Sequence, residues 1–377
     1  MLEKSLELGL CDLISCINRE VSPRSKRGNK LRKSKVRFTI AATSAVALAF
    51  AAATSPAVNA APKKLKDIRI AAVLKGLDNP FFIGIKEGIE ETALKYGVYA
   101  NVQAAPGLND DIGQANKLDS LAGQNYDCYI VIPISSNNLS QAVGKITKKG
   151  KTVINIDSPI DAASLKAAGG KVTSFAGTDN FAAGKAGGAH MVKAIGTGKK
   201  IALIAGLAGN VTSNARINGF KEGAAGATFV GPETADWDTT KALDKANAML
   251  LANPDIAGFF AANDQMAQGI AKAVKAAGKK IPVYGVDGIA DALAEVKAGN
   301  ITATISQYPY VMGQMGVEAC IIAAQGGKVP ASTITPYYVI DRTNIDKALT
   351  NKSTRGFFPN QLPPGKYNNP YTSKIKK

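Results

Sequence analysis

Residues 68–82 read IRIAAVLKGLDNPFF. The apolar run Ile68–Leu74 has the length of a strand, and a helical pattern opens a few residues later, near 81–96. Pro80 suits the first position of that helix, where its missing N–H costs nothing. Phe81 and Phe82 then stand together at a strand-to-helix turn that should face water. One ring can staple the helix start to the core. The use of the other depends on what else the chain sends to the same place.

The same strand–turn–helix unit recurs. Apolar runs at 128–133 (CYIVIP) and 152–157 (TVINID) follow, with helical stretches near 110–123 and 138–148. A second series has strands near 172–176, 199–205, 256–261, 281–286 and 301–306. Helices near 180–195, 212–226, 239–252, 264–277 and 289–298 separate them. Continuous apolar strands alternating with amphipathic helices predict parallel sheets covered on both faces. So many units exceed one comfortable sheet. The expected fold is α/β, with two doubly wound parallel-sheet lobes.

The whole chain has 377 residues, 46% hydrophobic and 20% charged, with a net charge of +17. That charge sits at the ends. Residues 1–60 hold ten Lys/Arg against four Asp/Glu, and 350–377 hold six Lys/Arg and no acid, so the rest carries only +5. No basic stripe with interleaved aromatics appears there, which excludes a nucleic-acid partner. Basic residues 24–37 precede the Ala-rich run FTIAATSAVALAFAAATS, and Val58 and Ala60 precede a candidate cut before Ala61. That order predicts a pre-segment and cleaved signal peptide over 1–60, and export to the periplasm. The tail 350–377 contains Pro363 and Pro364 and few apolar residues, so it is expected to be dispensable.

Cys128 falls in an apolar strand and Cys320 in an apolar helix; in an exported protein the two could pair, but nothing in the sequence places them within bridging distance, and buried free thiols are the commoner state. No CxxC exists, and the single His190 cannot build a histidine metal site alone. The near-miss to a phosphate loop, GTDNFAAGKA (177–186), has six residues between its glycines and Ala186 where a magnesium-binding hydroxyl is required. No GxGxxG follows the first strand, and no GxSxG elbow exists. No catalytic residue, cofactor or metal is expected.

In doubly wound sheets ligands bind beyond the carboxyl ends of the strands. There the chain places Asn79 with Phe81 and Phe82, Asp157 with Ser158, Asn214 and Arg216, Asn263 with Asp264, Asp287, and Gln307. Trp237, the only Trp, lies in the polar loop ADWD. Carboxylates and amides exchange hydrogen bonds with hydroxyls, and flat rings cover the C–H faces of a sugar. The set suits a polyhydroxylated neutral ligand.

Between Ile68 and Val339 the fragments NPFF, GLAGN…R.NGF, ADWD, ANDQMA, GVDG and ATISQ stand in an order that resembles the periplasmic sugar-binding proteins of ABC importers, nearest to the ribose binders. The resemblance implies two lobes closing on a sugar, with crossings near Thr178, Tyr308 and Pro336. The N-lobe would be 66–177 plus 309–335, and the C-lobe 178–308 plus 336–349. It implies that Asn79, Phe81, Phe82, Asp157, Trp237, Asn263, Asp287 and Gln307 contact the sugar, with Ser158 and Asn214 at two further contact positions. It implies a neutral sugar or polyol as ligand, a membrane permease as partner, a chemoreceptor as a further partner, and a monomeric state. By the same token Arg216 would be a structural brace and Asp264 a helix cap.

Three departures bear on the ligand. Ile132, Ser158 and Asn214 replace an Asn and two Arg of the ribose binders, which predicts one side of the cleft poor in donors and weakened ribose binding, with a different pentose, a deoxy sugar or a sugar alcohol as ligands at least as well suited. Two other readings remain from the residues: a secreted glycoside-processing enzyme, and a sugar-sensing regulatory core.

Overall fold

The computed structural model describes residues 61–349 and 369–376. The expected signal segment 1–60 and residues 350–368 of the tail lie outside the described residues. The chain first lays down β1 (Arg69–Leu74), α1 (Pro80–Tyr96), β2 (Tyr99–Ala104), α2 (Asp111–Ala122), β3 (Cys128–Val131), α3 (Ser140–Lys148), β4 (Thr152–Ile156), α4 (Ala162–Ala167) and β5 (Ser174–Thr178). It then crosses to a second lobe. There it forms α5 (Asn180–Ile195), β6 (Lys200–Ala205), α6 (Val211–Gly223), β7 (Thr228–Thr234), α7 (Thr239–Ala252), β8 (Ile256–Ala261), α8 (Asp264–Ala276), β9 (Val283–Asp287), α9 (Ala290–Ala298) and β10 (Ala303–Ser306). It returns for α10 (Pro309–Ala324) and β11 (Ser332–Thr335), then enters the second lobe again with β12 (Tyr338–Asp341) and α11 (Ile345–Leu349).

Each lobe has one six-stranded sheet. The orders are β11-β5-β4-β3-β1-β2 and β12-β10-β9-β8-β6-β7, so both reverse direction beside their first strand. All pairings are parallel except β12, which runs antiparallel on the edge beside β10. β2 and β7 carry mostly half-buried or exposed residues, which is why their sequences lack the continuous apolar run of central strands.

The wealth of glycine lets helices pack backbone to backbone. A Cβ added at Gly88 on α1 would stand 2.1 Å from the Tyr310 carbonyl oxygen of α10, and one at Gly184 on α5 would stand 2.2 Å from the Arg216 carbonyl oxygen of α6. The second contact fixes the helix that carries a cleft residue. Only glycine permits such approach.

One expectation is corrected here. Cys128 and Cys320 are not free thiols: they form a disulfide, with Cα atoms 5.6 Å apart, because α10 lies against β3. The strand and helix are 192 residues apart in sequence, so no local pattern announced the pairing. The tail is not simply outside the fold either. Residues 369–376 pack on the N-lobe, with the Tyr371 side chain fully buried.

Candidate functional site

The two reversal points face one another across a cavity with about 440 Å3 of empty space, part of it open to solvent. Its wall alternates between strand ends of the two lobes.

From the N-lobe, Asn79 caps α1 by accepting the Phe81 N–H at its Oδ1, 2.8 Å away. The amide NH2 of the same side chain is left for the cavity. Phe81 and Phe82 meet edge to face, with centroids 5.3 Å apart, and both line the cavity. Lys75, the residue after β1, holds its ammonium 5.3 Å from the Phe82 ring centroid and donates to Ser158 Oγ at 2.8 Å. Ser158 in turn donates to Asp157 Oδ2 at 2.9 Å, while Lys75 Nζ stands 3.7 Å from the same oxygen. Burial holds the Lys75 ammonium below the usual lysine range, and the charge of Asp157 opposes this. Asn155 secures the loop behind them, donating to the carbonyls of Val131 and Ser158 and accepting from Ile160 N–H.

From the C-lobe, Asn263 repeats the role of Asn79. It caps α8 through an N–H of Met266, at 3.0 Å, and leaves its amide NH2 beside the cavity. Arg216 is buried. It donates through Nε to Asn180 Oδ1 at 2.8 Å, and through Nη1 to the Ala262 carbonyl at 2.7 Å and Asp287 Oδ1 at 3.2 Å. Asp264 accepts from the N–H groups of Gly288 and Ile289 and from Thr304 Oγ1, which fixes the turn that presents Asp287. Burial pushes the carboxyls of Asp264 and Asp287 upward, and the Arg216 guanidinium opposes it at both. Trp237 packs its ring flat on Gly206, where any Cβ would fall 2.3 Å from the indole.

The backbone is strained at these positions. Asp157 (φ 62°), Trp237 (φ 67°) and Asp287 (φ 131°) take positive φ and all line the cavity, as neighbouring Asp236 (φ 50°) does not. Each such conformation costs about 1–3 kcal/mol, held where side-chain placement requires it. Two cations, Lys75 and Arg216, face two carboxylates, Asp157 and Asp287. With the cap amides, these groups offer donors and acceptors to a ligand rich in hydroxyls.

The lobes touch across the cleft. Asn210 Nδ2 donates to the Ile134 carbonyl at 3.1 Å, Thr212 Oγ1 to Ser158 Oγ at 3.4 Å, and Gln265 Nε2 to the Asp78 carbonyl at 3.2 Å. The arrangement is a closed one.

Of the residues singled out from sequence, Asn79, Phe81, Phe82, Asp157, Ser158, Trp237, Asn263 and Asp287 line this one cavity. Gln307 does not; it is fully buried behind Asp287 and donates to it at 2.7 Å. Asn214 is corrected outright. It is exposed on α6, and the cavity is faced from that helix by Thr212 and Arg216, two residues to either side. Ile132 is likewise in the core, and Ile134 lines the cavity in its place. Arg216 is no mere brace, and Asp264 is not the cap of α8, since Asn263 is. The donor-poor side predicted from Ile132, Ser158 and Asn214 therefore does not exist as drawn. Lys75 supplies a cation directly to Ser158, and Arg216 supplies the second. Lys75 was legible in principle: a lysine closing an apolar central strand is a cation placed where ligands bind. Leu108, Ile134 and Thr212 also line the cavity and gave no such signal.

The sequence matches the family model described as periplasmic binding protein domain over residues 70–328. The D-allose-binding periplasmic protein of Escherichia coli (strain K12) is 40% identical over 278 residues, covering 72% of this chain and 89% of that protein. The ribose import binding protein of Bacillus subtilis (strain 168) is 33% identical over 272 residues, covering 72% and 86%. Among solved structures, an ABC transporter periplasmic solute-binding protein from Actinobacillus succinogenes 130z with bound D-allose superposes with a TM-score of 0.70 at 31% identity, covering 74% of this chain and 99% of that one.

Proposed function

The chain belongs to the periplasmic binding protein domain family, and from that premise we propose that it is the solute-binding component of an ABC importer, enclosing one neutral monosaccharide between its lobes and handing it to a membrane permease. The observation that carries this is the set of groups at the facing strand ends: two carboxyls, two basic side chains, two helix-cap amides and aromatic faces around one cavity.

Each group has a role. Asp157 and Asp287 accept from sugar hydroxyls, and Asn79, Asn263, Lys75 and Arg216 donate to hydroxyl or ring oxygens. Phe82 and Trp237 cover the apolar faces of the ring. A charged hydrogen bond contributes about 1.5–3 kcal/mol, so a few of them suffice for micromolar binding or tighter. The relatives favour an aldose, with D-allose first and D-ribose second among candidates. The ligand leaves unchanged; the protein binds and releases, as a monomer, without turnover.

Export fits the disulfide as well as the sequence. A Cys128–Cys320 bridge persists in an oxidising compartment such as the periplasm. Cleavage before Ala61 would release the mature protein there, and mass spectrometry of exported protein retaining residues 38–53 would refute that step. The ligand is tested by thermal shift of residues 61–377 against D-allose, D-ribose, xylitol, a uronic acid and a sugar phosphate. Ligand at a hundred times its dissociation constant adds about 2.7 kcal/mol of stability. Stabilisation by the neutral sugars alone is the expected result; stabilisation only by the anions would sink the reading.

A further inference from the structure

The C-terminal residues 369–376 lie on the N-lobe as a strap. Tyr371 is the anchor, with its ring fully buried and its hydroxyl 2.7 Å from Thr333 Oγ1 and 3.3 Å from Ser174 Oγ. Asn369 Nδ2 donates to Glu318 Oε2 at 2.6 Å, and Thr372 Oγ1 donates to the same carboxylate at 3.0 Å. At the far end the Gln325 side chain pairs with one backbone unit. Its Nε2 donates to the Lys376 carbonyl at 2.6 Å, and its Oε1 accepts the Lys376 N–H at 3.0 Å. Ile375 adds apolar contact with the core.

The partners of this strap are not scattered. Ser174 is on β5, Glu318 is on α10 with Gln325 capping its end, and Thr333 is on β11. Those are the three N-lobe elements at which the chain crosses between lobes. β5 ends at Thr178, α10 begins at Pro309, and β11 ends at Thr335. Beside the crossings themselves Thr178 Oγ1 and Thr335 Oγ1 lie 3.1 Å apart, joining β5 to β11. β11 is an edge strand of four residues, two of them exposed. On its inner side it pairs in parallel with β5 over Ser332–Thr335, and the strap adds the Tyr371 contact to Thr333.

We propose that residues 369–376 are an intramolecular clamp on the N-lobe side of the hinge, which holds β5, α10 and β11 together and thereby sets how readily the lobes close on a ligand. The clamp acts at a distance, since no strap residue lines the cavity. The lever is the order of the hinge strands. The affinity part of this proposal rests on the sugar-binding reading above; the structural part does not.

The test uses Tyr371→Ala and Tyr371→Phe in residues 61–377, with hydrogen exchange and thermal unfolding measured free of ligand. D-allose and D-ribose titrations follow. Tyr371→Ala should lose exchange protection at 174–178 and 332–335, lower the unfolding midpoint by roughly 5–10 °C, and weaken sugar binding about fivefold or more. Tyr371→Phe, which keeps the ring, should lose protection chiefly at 332–335 and keeps the test alive should the alanine variant not fold. A chain ending at Leu349 should regain protection and affinity when the peptide 366–377 is added in trans. Unchanged exchange at both strands in both variants would overturn the clamp. Altered exchange with unaltered sugar affinity would overturn its effect on closure. Absence of any sugar binding, with exchange altered, would instead count against the sugar reading and leave the clamp standing.

Discussion

The Lys75 ammonium donates to the Ser158 hydroxyl at 2.8 Å, joining the end of β1 to the end of β4 inside the cleft. Ser158 passes the contact on to Asp157 and receives Thr212 from the opposite lobe. A serine that looks like the loss of a guanidinium is thus the middle of a bridge built from a residue 83 positions away.

Lys75→Met keeps most of the volume and removes the cation. Sugar affinity should fall about ten- to a hundredfold, the worth of one charged hydrogen bond plus an unpaired Asp157. Isothermal titration decides it. A loss under twofold would mean that the ammonium serves only its ion pair.

Asp157→Ala and Asn214→Ala separate the cavity from its surroundings. The first removes an acceptor at a strained strand end and should cost at least tenfold in affinity. The second changes an exposed side chain on α6 and should leave affinity within about twofold. Equal losses in two folded variants would contradict the placement of both.

Much of the fold could be read from residues alone, because central parallel strands must be apolar throughout and the helices between them amphipathic. β2, β7, β11 and β12 escaped, being edges or short pieces with exposed residues. In the site, strand-end residues such as Asp157, Asn263 and Asp287 announced themselves by position. The α6 residues did not, since a helix start offers four consecutive side chains and sequence gives no phase for the first turn. Asn214 and Arg216 exchanged roles for that reason. Cys128 and Cys320 are neighbours only through the packing of α10 on β3.

Asp264 should leave a mark on the pH dependence of stability. An unfolded aspartate titrates near 3.8, and burial raises the folded carboxyl to about 6. Between those values the native state holds more protons, so stability falls as pH rises through that window. Asp264→Asn should reduce the fall, though not abolish it, because burial raises Asp287 as well. Urea unfolding at intervals from about pH 4 to pH 7 would expose a variant whose slope equals that of the parent, which would refute the assignment.

Removing the disulfide should harm stability and spare recognition. The bridge joins two N-lobe elements and closes a loop, 192 residues apart at its ends, that contains the strands of the second lobe up to β10, and chain entropy puts its contribution at up to about 5 kcal/mol. Cys128→Ser with Cys320→Ser should unfold at lower denaturant, with sugar affinity nearly unchanged at 10–15 °C below its midpoint, in the range of about 4–8 °C lost per kcal/mol for small domains and less here. An unaltered denaturation midpoint would show that the bridge constrains nothing.

The cleft is assigned one neutral monosaccharide, held by its carboxyls, basic side chains and cap amides. Isothermal titration of residues 61–377 with D-allose and D-ribose, followed by chromatography of the recovered sugar, tests it most directly. The account predicts one site per chain, a dissociation constant of roughly micromolar or below for at least one of the two, and recovery of the sugar unchanged. No heat with either sugar, or recovery of a converted product, would contradict it.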